Sequence, residues 1–324
     1  MAFESLLEIE KPLAKLQEKI EELRRLNATG SVDLTSEIRL LEEKAHRLKE
    51  EIFQSLTPWE KVQLARHAKR PTTLDYIKAL FTDFVELHGD RLFAEDSALV
   101  GGFAKFEETP VMVMGHQKGK DTKENLHRNF GMASPEGFRK AARLLKMAEK
   151  FNLPVMTFID TPGAYPGIGA EERGQFIAIA ENLMQLARLR VPVVVTVIGE
   201  GGSGGALALG LGDRVLILEH AVYSVISPEG CASILWHDGK KAPEAAAFLH
   251  LTAQELEKLR LVDDVIAEPL GGAHQNPEIA FRNLRKAFRM HLPLIMQKRT
   301  EELLELRYQK YRRMGAILEL PQLR

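Results

Sequence analysis

The spacing of apolar residues divides the chain into unlike stretches. Over the first 55 residues, Leu13, Leu16, Ile20 and Leu23 recur at intervals of three and four, and so do Ile38, Leu41, Ala45, Leu48 and Ile52. Charged residues fill the other faces, and the turn formers NATGSVDLT lie between the two periods. The pattern predicts two amphipathic helices folded back as a hairpin, with Pro12 in the first turn, where a missing N–H costs nothing. Two helices alone bury little, so the pair is expected to pack on the main body or on another subunit.

Beyond residue 71 the pattern changes. TTLDYIKALFTDFVELHGD reads as one helix, capped by Thr72 or Thr73 and ended by Gly89. Short apolar runs then alternate with helical periods. PVMVMG (110–115), LPVMTFID (153–160), VPVVVTVIG (191–199) and RVLILEH (214–220) read as strands, with AVYSVIS (221–227) and VDDVIAE as further short ones. Between them, 134–151 is a helix with Ser134 as N-cap and Pro135 at its first position. Residues 169–190 form a second helix, and APEAAAFLHLTAQELEKLRL is helical. Continuous β-branched runs between helices mean strands buried on both faces, hence an α/β body. The charged tail from 277 to 316 reads as helical. The expected organisation is a helical arm (1–70), an α/β domain (71–276) and a C-terminal helical tail (277–324).

Composition narrows the partners. Of 324 residues, 45% are hydrophobic and 27% charged, an ordinary globular balance. The net charge of −1 gives no bulk field for nucleic acid or anionic membrane. One cysteine, Cys231, cannot close an internal disulfide or build a cysteine-rich zinc site, which is consistent with a reducing compartment. The opening MAFESLLEIEKP has acids where a secretory signal needs a basic and then an apolar run, and the longest apolar runs are far short of the ~20 residues that span a bilayer. A cytoplasmic protein with no membrane association is expected.

The candidate chemistry lies in GEGGSGGALALGLG, residues 199–212. Gly199, Gly201 and Gly204 fit the dinucleotide pattern G-x-G-x-x-G, with Glu219 at the end of the next strand as a ribose acid. About nine residues then separate Gly204 from Arg214, too few for the usual crossover of ~10–12. Gly201, Ser203 and Gly205 fit the hydrolase elbow G-x-S-x-G, with Asp263 or Asp264 and His274 available downstream. A third reading uses only the backbone. The first amides of a helix lack internal partners and lie at the positive end of its dipole, so Gly204 and Gly205 could present N–H groups to an anion. A purely packing role for the glycines is the remaining alternative.

DTPGAYPGIGAEERG (160–174) adds a second glycine-rich loop after a buried strand, at the sheet end where open α/β sheets bind ligands. Its Asp-x-x-Gly suggests a GTPase, but no G-x-x-x-x-G-K-[ST] phosphate cradle occurs in the chain. ISPEG (226–230) supplies a third such loop.

These stretches, taken with YIKALFTDFVELHGDR, VMVMGHQKG, RNFGMASPEGFRKA, YSVISPEGCASILW and EPLGGAHQNPE, resemble the alpha subunit of the carboxyltransferase component of bacterial acetyl-CoA carboxylase. The likeness runs from about residue 70 to 277. It implies an α/β fold of the crotonase/ClpP-like kind, a spiral of ββα units. It implies transfer of a carboxyl group from carboxybiotin to acetyl-CoA, giving malonyl-CoA for fatty acid biosynthesis. The implied partners are a zinc-containing beta subunit in an α2β2 heterotetramer, biotin carboxyl carrier protein, and the ATP-using biotin carboxylase. No metal is implied in this subunit. Two anions arise in such a transfer, on the biotin ureido oxygen and on the thioester oxygen, and each needs donors aimed at the charged form. The biotin anion can itself act as base, so no side-chain base is required. The Gly204 and Gly205 amides are then expected to hold the ureido oxygen, and the resemblance implies that a similar helix start in the beta subunit holds the thioester oxygen. It places Gly163, Ala164, Tyr165 and Gly167 along the same pocket, with Glu200, Gly201 and Gly202 shaping the turn. Lys118, Lys120, Lys123, His127 and Arg128 form a basic cluster, either a solvated loop or a contact for CoA phosphates or the carrier's acidic surface. A serine hydrolase using Ser203 and a non-catalytic scaffold subunit are the competing classes.

Overall fold

The computed structural model describes residues 7–28 and 33–315. Eight strands form one sheet: β1 (Thr82–Glu86), β2 (Leu99–Phe106), β3 (Thr109–His116), β4 (Val155–Thr161), β5 (Val193–Gly202), β6 (Arg214–Leu218), β7 (Val222–Ser224) and β8 (Asp264–Ile266). Their order is β1-β2-β3-β4-β5-β6-β8, with β7 branching from β5. The first three strands are antiparallel and β3 to β6 run parallel. Every residue of β4 is buried, as the continuous apolar pattern requires when helices cover both faces.

β5 changes neighbours along its length. Val194–Val197 pair with Arg214–Ile217 of β6, whereas Glu200–Gly202 pair with Val222–Ser224 of β7. The strand therefore leaves the main sheet before it ends. The helices Pro135–Lys150, Gln175–Arg188 and Ser203–Gly210 pack in succession, each on the next, as in a spiral of strand–helix units. Tyr76, Phe81, Phe158 and Phe288 meet in one aromatic cluster, with Tyr76 and Phe158 centroids 5.8 Å apart. That cluster joins the helix Thr73–Leu80 and the helix Pro277–Met296 to β4, and each such pair adds ~0.5–1.5 kcal/mol beyond its buried area.

The predicted hairpin is present as Lys11–Ala28 and Thr35–Gln54, while residues 29–32 of its turn lie outside the described residues. Leu13, Phe53 and Leu64 form its small core, so it docks on the helix Pro58–Ala65. The tail does not stand apart. Phe281, Leu284, Ala287, Phe288, Leu292 and Ile295 belong to the main core, and Leu303 from the last helix, Thr300–Arg313, joins them.

Four features differ from the sequence pattern. The helix expected through Gly89 stops at Leu80, and Thr82–Glu86 becomes β1 against β2. β2 was not expected, because Gly101 and Gly102 sit inside it. Both are close-approach sites: a Cβ on Gly102 would lie 1.9 Å from the Val85 carbonyl oxygen. The helix expected over 169–190 is broken by Gly174, at φ 83°, into Ile168–Glu172 and Gln175–Arg188. β5 runs on through Gly202, so Glu200, Gly201 and Gly202 end a strand rather than shape a turn. Pairing with β7 holds them extended.

Candidate active site at two strand ends

β5 passes into the helix Ser203–Gly210 with no intervening loop. Gly202, the N-cap, is extended (φ −106°, ψ 126°) and has no side chain to satisfy the helix start. Ser203 absorbs the change of direction at φ 53°, a left-handed conformation costly for a non-glycine residue. The amides of Ser203, Gly204 and Gly205 are therefore the ones that an α-helix leaves without an internal acceptor, at the positive end of its dipole.

The second loop leaves β4 at Thr161. The Thr161 hydroxyl donates to the Gly163 carbonyl (2.6 Å) and accepts from the Gly163 amide (3.1 Å), which tightens the turn. The Tyr165 amide donates to Ala133 O at 3.0 Å. Buried Gln175 donates to both Ala133 O and Tyr165 O, each at 2.9 Å. The loop is thus pinned from beneath.

The two segments meet backbone to backbone. A Cβ on Gly202 would lie 2.0 Å from Pro162 O, and one on Gly205 would lie 2.4 Å from Ala164 N. Gly201 is crowded by the Tyr223 ring, and Gly167 by the Tyr165 ring. Gly204 differs: its nearest neighbour, Ile179, would stand at an ordinary 3.7 Å. The packing role considered for the glycines holds for Gly201, Gly202 and Gly205, whereas a Cβ at Gly204 would make only ordinary contact. Gly163 and Ala164 touch the helix start directly. Tyr165 lies further out on the same loop, 37% exposed.

Beneath both segments lies a charge network. Glu200 Oε1 is 2.8 Å from Lys118 Nζ and Oε2 is 2.7 Å from Arg66 Nε. Lys118 Nζ is also 2.8 Å from Asp160 Oδ1, and Arg66 reaches Glu229 at 2.6 Å. Burial pushes the Glu200 carboxyl up, but Lys118 and Arg66 outweigh it and hold it below the usual range. For Lys118 burial pulls the ammonium down, and Asp160 with Glu200 more than restore it. Below Gly205, His116 is fully buried against the backbone of Gly205 and Phe158, and burial lowers its pKa to about 4, so its ring is neutral at pH 7.

A family model described as acetyl co-enzyme A carboxylase carboxyltransferase-like matches residues 6–315. The chain is 56% identical over 319 residues to the acetyl-coenzyme A carboxylase carboxyl transferase subunit alpha of Geobacter metallireducens, covering 98% of this chain and 100% of that one. Against the Thermus thermophilus subunit of the same name, identity is 55% over 313 residues, covering 97% and 99%. This chain belongs to the acetyl-CoA carboxylase carboxyltransferase alpha-subunit family.

Solved structures share the fold at lower identity. Transcarboxylase 12S, a hexamer with methylmalonyl-coenzyme A bound, superposes with TM-score 0.55 at 23% identity over 70% of this chain and 43% of that one. A subunit of a Pseudomonas malonate decarboxylase hetero-tetramer gives TM-score 0.59 at 16% identity, covering 73% and 92%. The crotonase-like α/β spiral expected from the sequence is thereby established.

For an alpha subunit of this family, the serine-hydrolase reading finds no support in the geometry. His274 pairs with Glu10 at 2.8 Å, Asp264 with His291 at 2.9 Å, and Asp263 with Lys310. None of these three residues is left to activate Ser203, which lies exposed. Glu219 accepts from the Glu268 amide at 2.9 Å, which engages the acid that a dinucleotide reading would need. The basic cluster is divided too. Lys118 is held by Asp160 and Glu200, Lys120 by Asp75, and Arg128 by Glu124 and Ser97 O, while Lys123 and His127 are exposed.

Sequence reasoning missed Arg66 and Asp160 and gave Lys118 a surface role. One signal was available: Asp160 and Glu200 occupy matching places, each at a strand end just before a glycine-rich segment. Arg66 had none, since it enters from the residues assigned to the helical arm.

Proposed function

We propose that this chain supplies the biotin half of a carboxyltransferase site, with the Gly204 and Gly205 amides stabilising negative charge on the ureido oxygen. Family membership makes the reaction carboxyl transfer to acetyl-CoA, giving malonyl-CoA. Carboxybiotin, presented on a separate carrier protein, brings the carboxyl group to the site as co-substrate. The observation that carries the reading is the strand-to-helix junction at Ser203. It places successive helix-start amides beside the 162–165 loop, and Gly202 offers no side chain to compete for them.

The protein's task is to hold these donors in place before charge develops, so that little reorganisation accompanies the step. Gly163, Ala164, Tyr165 and Gly167 line the side toward the carrier arm. The thioester oxygen is held by the corresponding helix start of a beta-subunit partner. That division of labour explains a site with amides but no nucleophile and no general base. An α2β2 assembly in the cytoplasm follows from the family reading, and no helix among the described residues is long and apolar enough to cross a membrane.

The test is turnover of the chain assembled with its beta partner, from carboxybiotin and acetyl-CoA. A Cβ at Gly204 would meet only Ile179, at an ordinary 3.7 Å, so Gly204→Val is expected to fold and assemble. Its branches would stand where the ureido oxygen must approach. A kcat loss of about 10²–10³-fold is expected, the scale of one lost oxyanion donor. Activity near wild type would remove the assignment and favour the scaffold class.

A further inference from the structure

We propose that Lys118 is a positioning residue for this site: its single ammonium ties the ends of β4 and β5 together and so fixes the gap between the loops they carry. The proposal rests on the function assigned above. Asp160 is the penultimate residue of β4, and the loop 162–167 begins two residues later. Glu200 lies within the last three residues of β5, immediately before the helix start. Lys118 Nζ stands 2.8 Å from a carboxylate oxygen of each.

The remaining contacts make the arrangement a closed one. Asp160 Oδ1 also accepts the Glu200 amide at 3.1 Å, so one oxygen serves both the ammonium and the neighbouring strand. The second Glu200 oxygen is taken by Arg66, which Glu229 balances on its far side. Gly199 has no Cβ because one would lie 2.3 Å from Asp160 Oδ1. The Lys118 stem is held where it passes Gly131, whose Cβ would lie 3.0 Å from Lys118 Cγ. Its backbone carbonyl accepts from Gln117 at 2.7 Å. The ammonium is therefore placed by packing and serves as a fixed point charge between two acids.

Without that charge, Asp160 and Glu200 share a small buried volume, with Arg66 left on one Glu200 oxygen and Arg70 acting on Asp160 only through longer-range attraction. Like charges so placed repel, and one of them takes up a proton at a pH well above its usual range. Repulsion would part the strand ends and move the Gly204 and Gly205 amides relative to the 162–167 loop. A displacement near 1 Å at a reacting site costs about 10²-fold in rate.

Three variants in the complex with the beta partner test this: Lys118→Met, Glu200→Gln and the double variant. Expected for Lys118→Met is a kcat loss of about 10²-fold, with KM for acetyl-CoA within about threefold. The loss should shrink as pH falls from about 8 to about 6, because a proton then replaces the ammonium between the acids. The double variant, with one carboxylate removed, should be faster than Lys118→Met alone. Glu200→Gln keeps the Lys118–Asp160 and Arg66–Glu229 pairs and remains informative if Lys118→Met does not fold. It should lose kcat with little change in KM, and unchanged kcat in that variant counts against the clamp.

Hydrogen exchange on the same proteins gives a readout independent of turnover. In Lys118→Met, and more weakly in Glu200→Gln, amides of 161–167 and 203–206 should exchange faster while those of the 135–150 helix do not. Unchanged exchange in both segments together with unchanged kcat overturns the clamp. A wild-type complex that transfers no carboxyl group overturns the assigned function instead, and the exchange result then decides the clamp by itself.

Discussion

At the scale of single residues, the two glycines read from the sequence as equivalent donors have unequal surroundings. Gly205 is glycine because the Ala164 backbone would lie 2.4 Å from its Cβ, whereas Gly204 has room. Gly205→Ala should therefore force the two loops apart and destabilise the protein by ~1–3 kcal/mol. Gly204→Ala should unfold at the wild-type denaturant midpoint, which chemical unfolding of both variants checks; equal midpoints would mean that the loops yield freely. The glycines and the 163–167 loop were legible in sequence because close backbone approach permits few other residue types. Arg66, Asp160 and the partners of Lys118 were not, since a charged residue shows its burial only when distant segments meet.

Among elements, those with a strong local signal were readable. Ser134 and Pro135 mark a helix start, and Pro135–Lys150 follows. The failures lie where pairing overrides local preference: β1 and β2 form against each other despite glycines, and β5 persists to Gly202 because β7 holds it. The C-terminal elements look solvated in sequence, yet Arg307 in the last helix is 2% exposed. It binds both Asp213 oxygens (2.8 and 2.7 Å) and donates to the carbonyls of Leu186, Leu189 and Val191. That guanidinium closes the turn between the Gln175–Arg188 helix and β5. Arg307→Met would strand a buried carboxylate and three acceptors, so unfolding should become easier by ~3–5 kcal/mol. Calorimetry or denaturant unfolding checks this, and a change below ~1 kcal/mol would show that the last helix is dispensable.

For the molecule as a whole, the helical arm is part of the site's support. Arg66 reaches Glu200, and Arg70 is buried against Glu268 (2.9 and 2.5 Å) and Ile198 O. Nearer the N-terminus, Glu10 meets His274 at 2.8 Å, and His274 stacks on His67 with centroids 4.0 Å apart. The His67 Nδ1 accepts the Lys69 amide, which leaves its proton on the nitrogen that faces Glu10. Burial pushes the Glu10 and Glu268 carboxyls up, but the His274 hydrogen bond at one, and Arg70 at the other, help hold both down at about 2. A carboxyl depressed in the folded state stabilises it above the unfolded pKa near 4.5, and that contribution fades as pH falls toward 2. The Lys11–Gln54 hairpin should thus resist acid protease at pH values near 5 and be cut increasingly toward pH ~2.5, with Glu10→Gln cut more evenly across the range. Identical cleavage of wild type and Glu10→Gln at every pH would contradict the clasp.

In the proposed function two backbone amides face the ureido oxygen, and the biotin anion serves as the base. The most direct measurement is a crystal structure of the chain with its beta partner and a bound biotin ligand. The expected result is the ureido oxygen within about 2.7–3.1 Å of the Gly204 and Gly205 nitrogens. An oxygen lying beyond hydrogen-bond reach of both, with those amides donating to protein acceptors, would contradict the account.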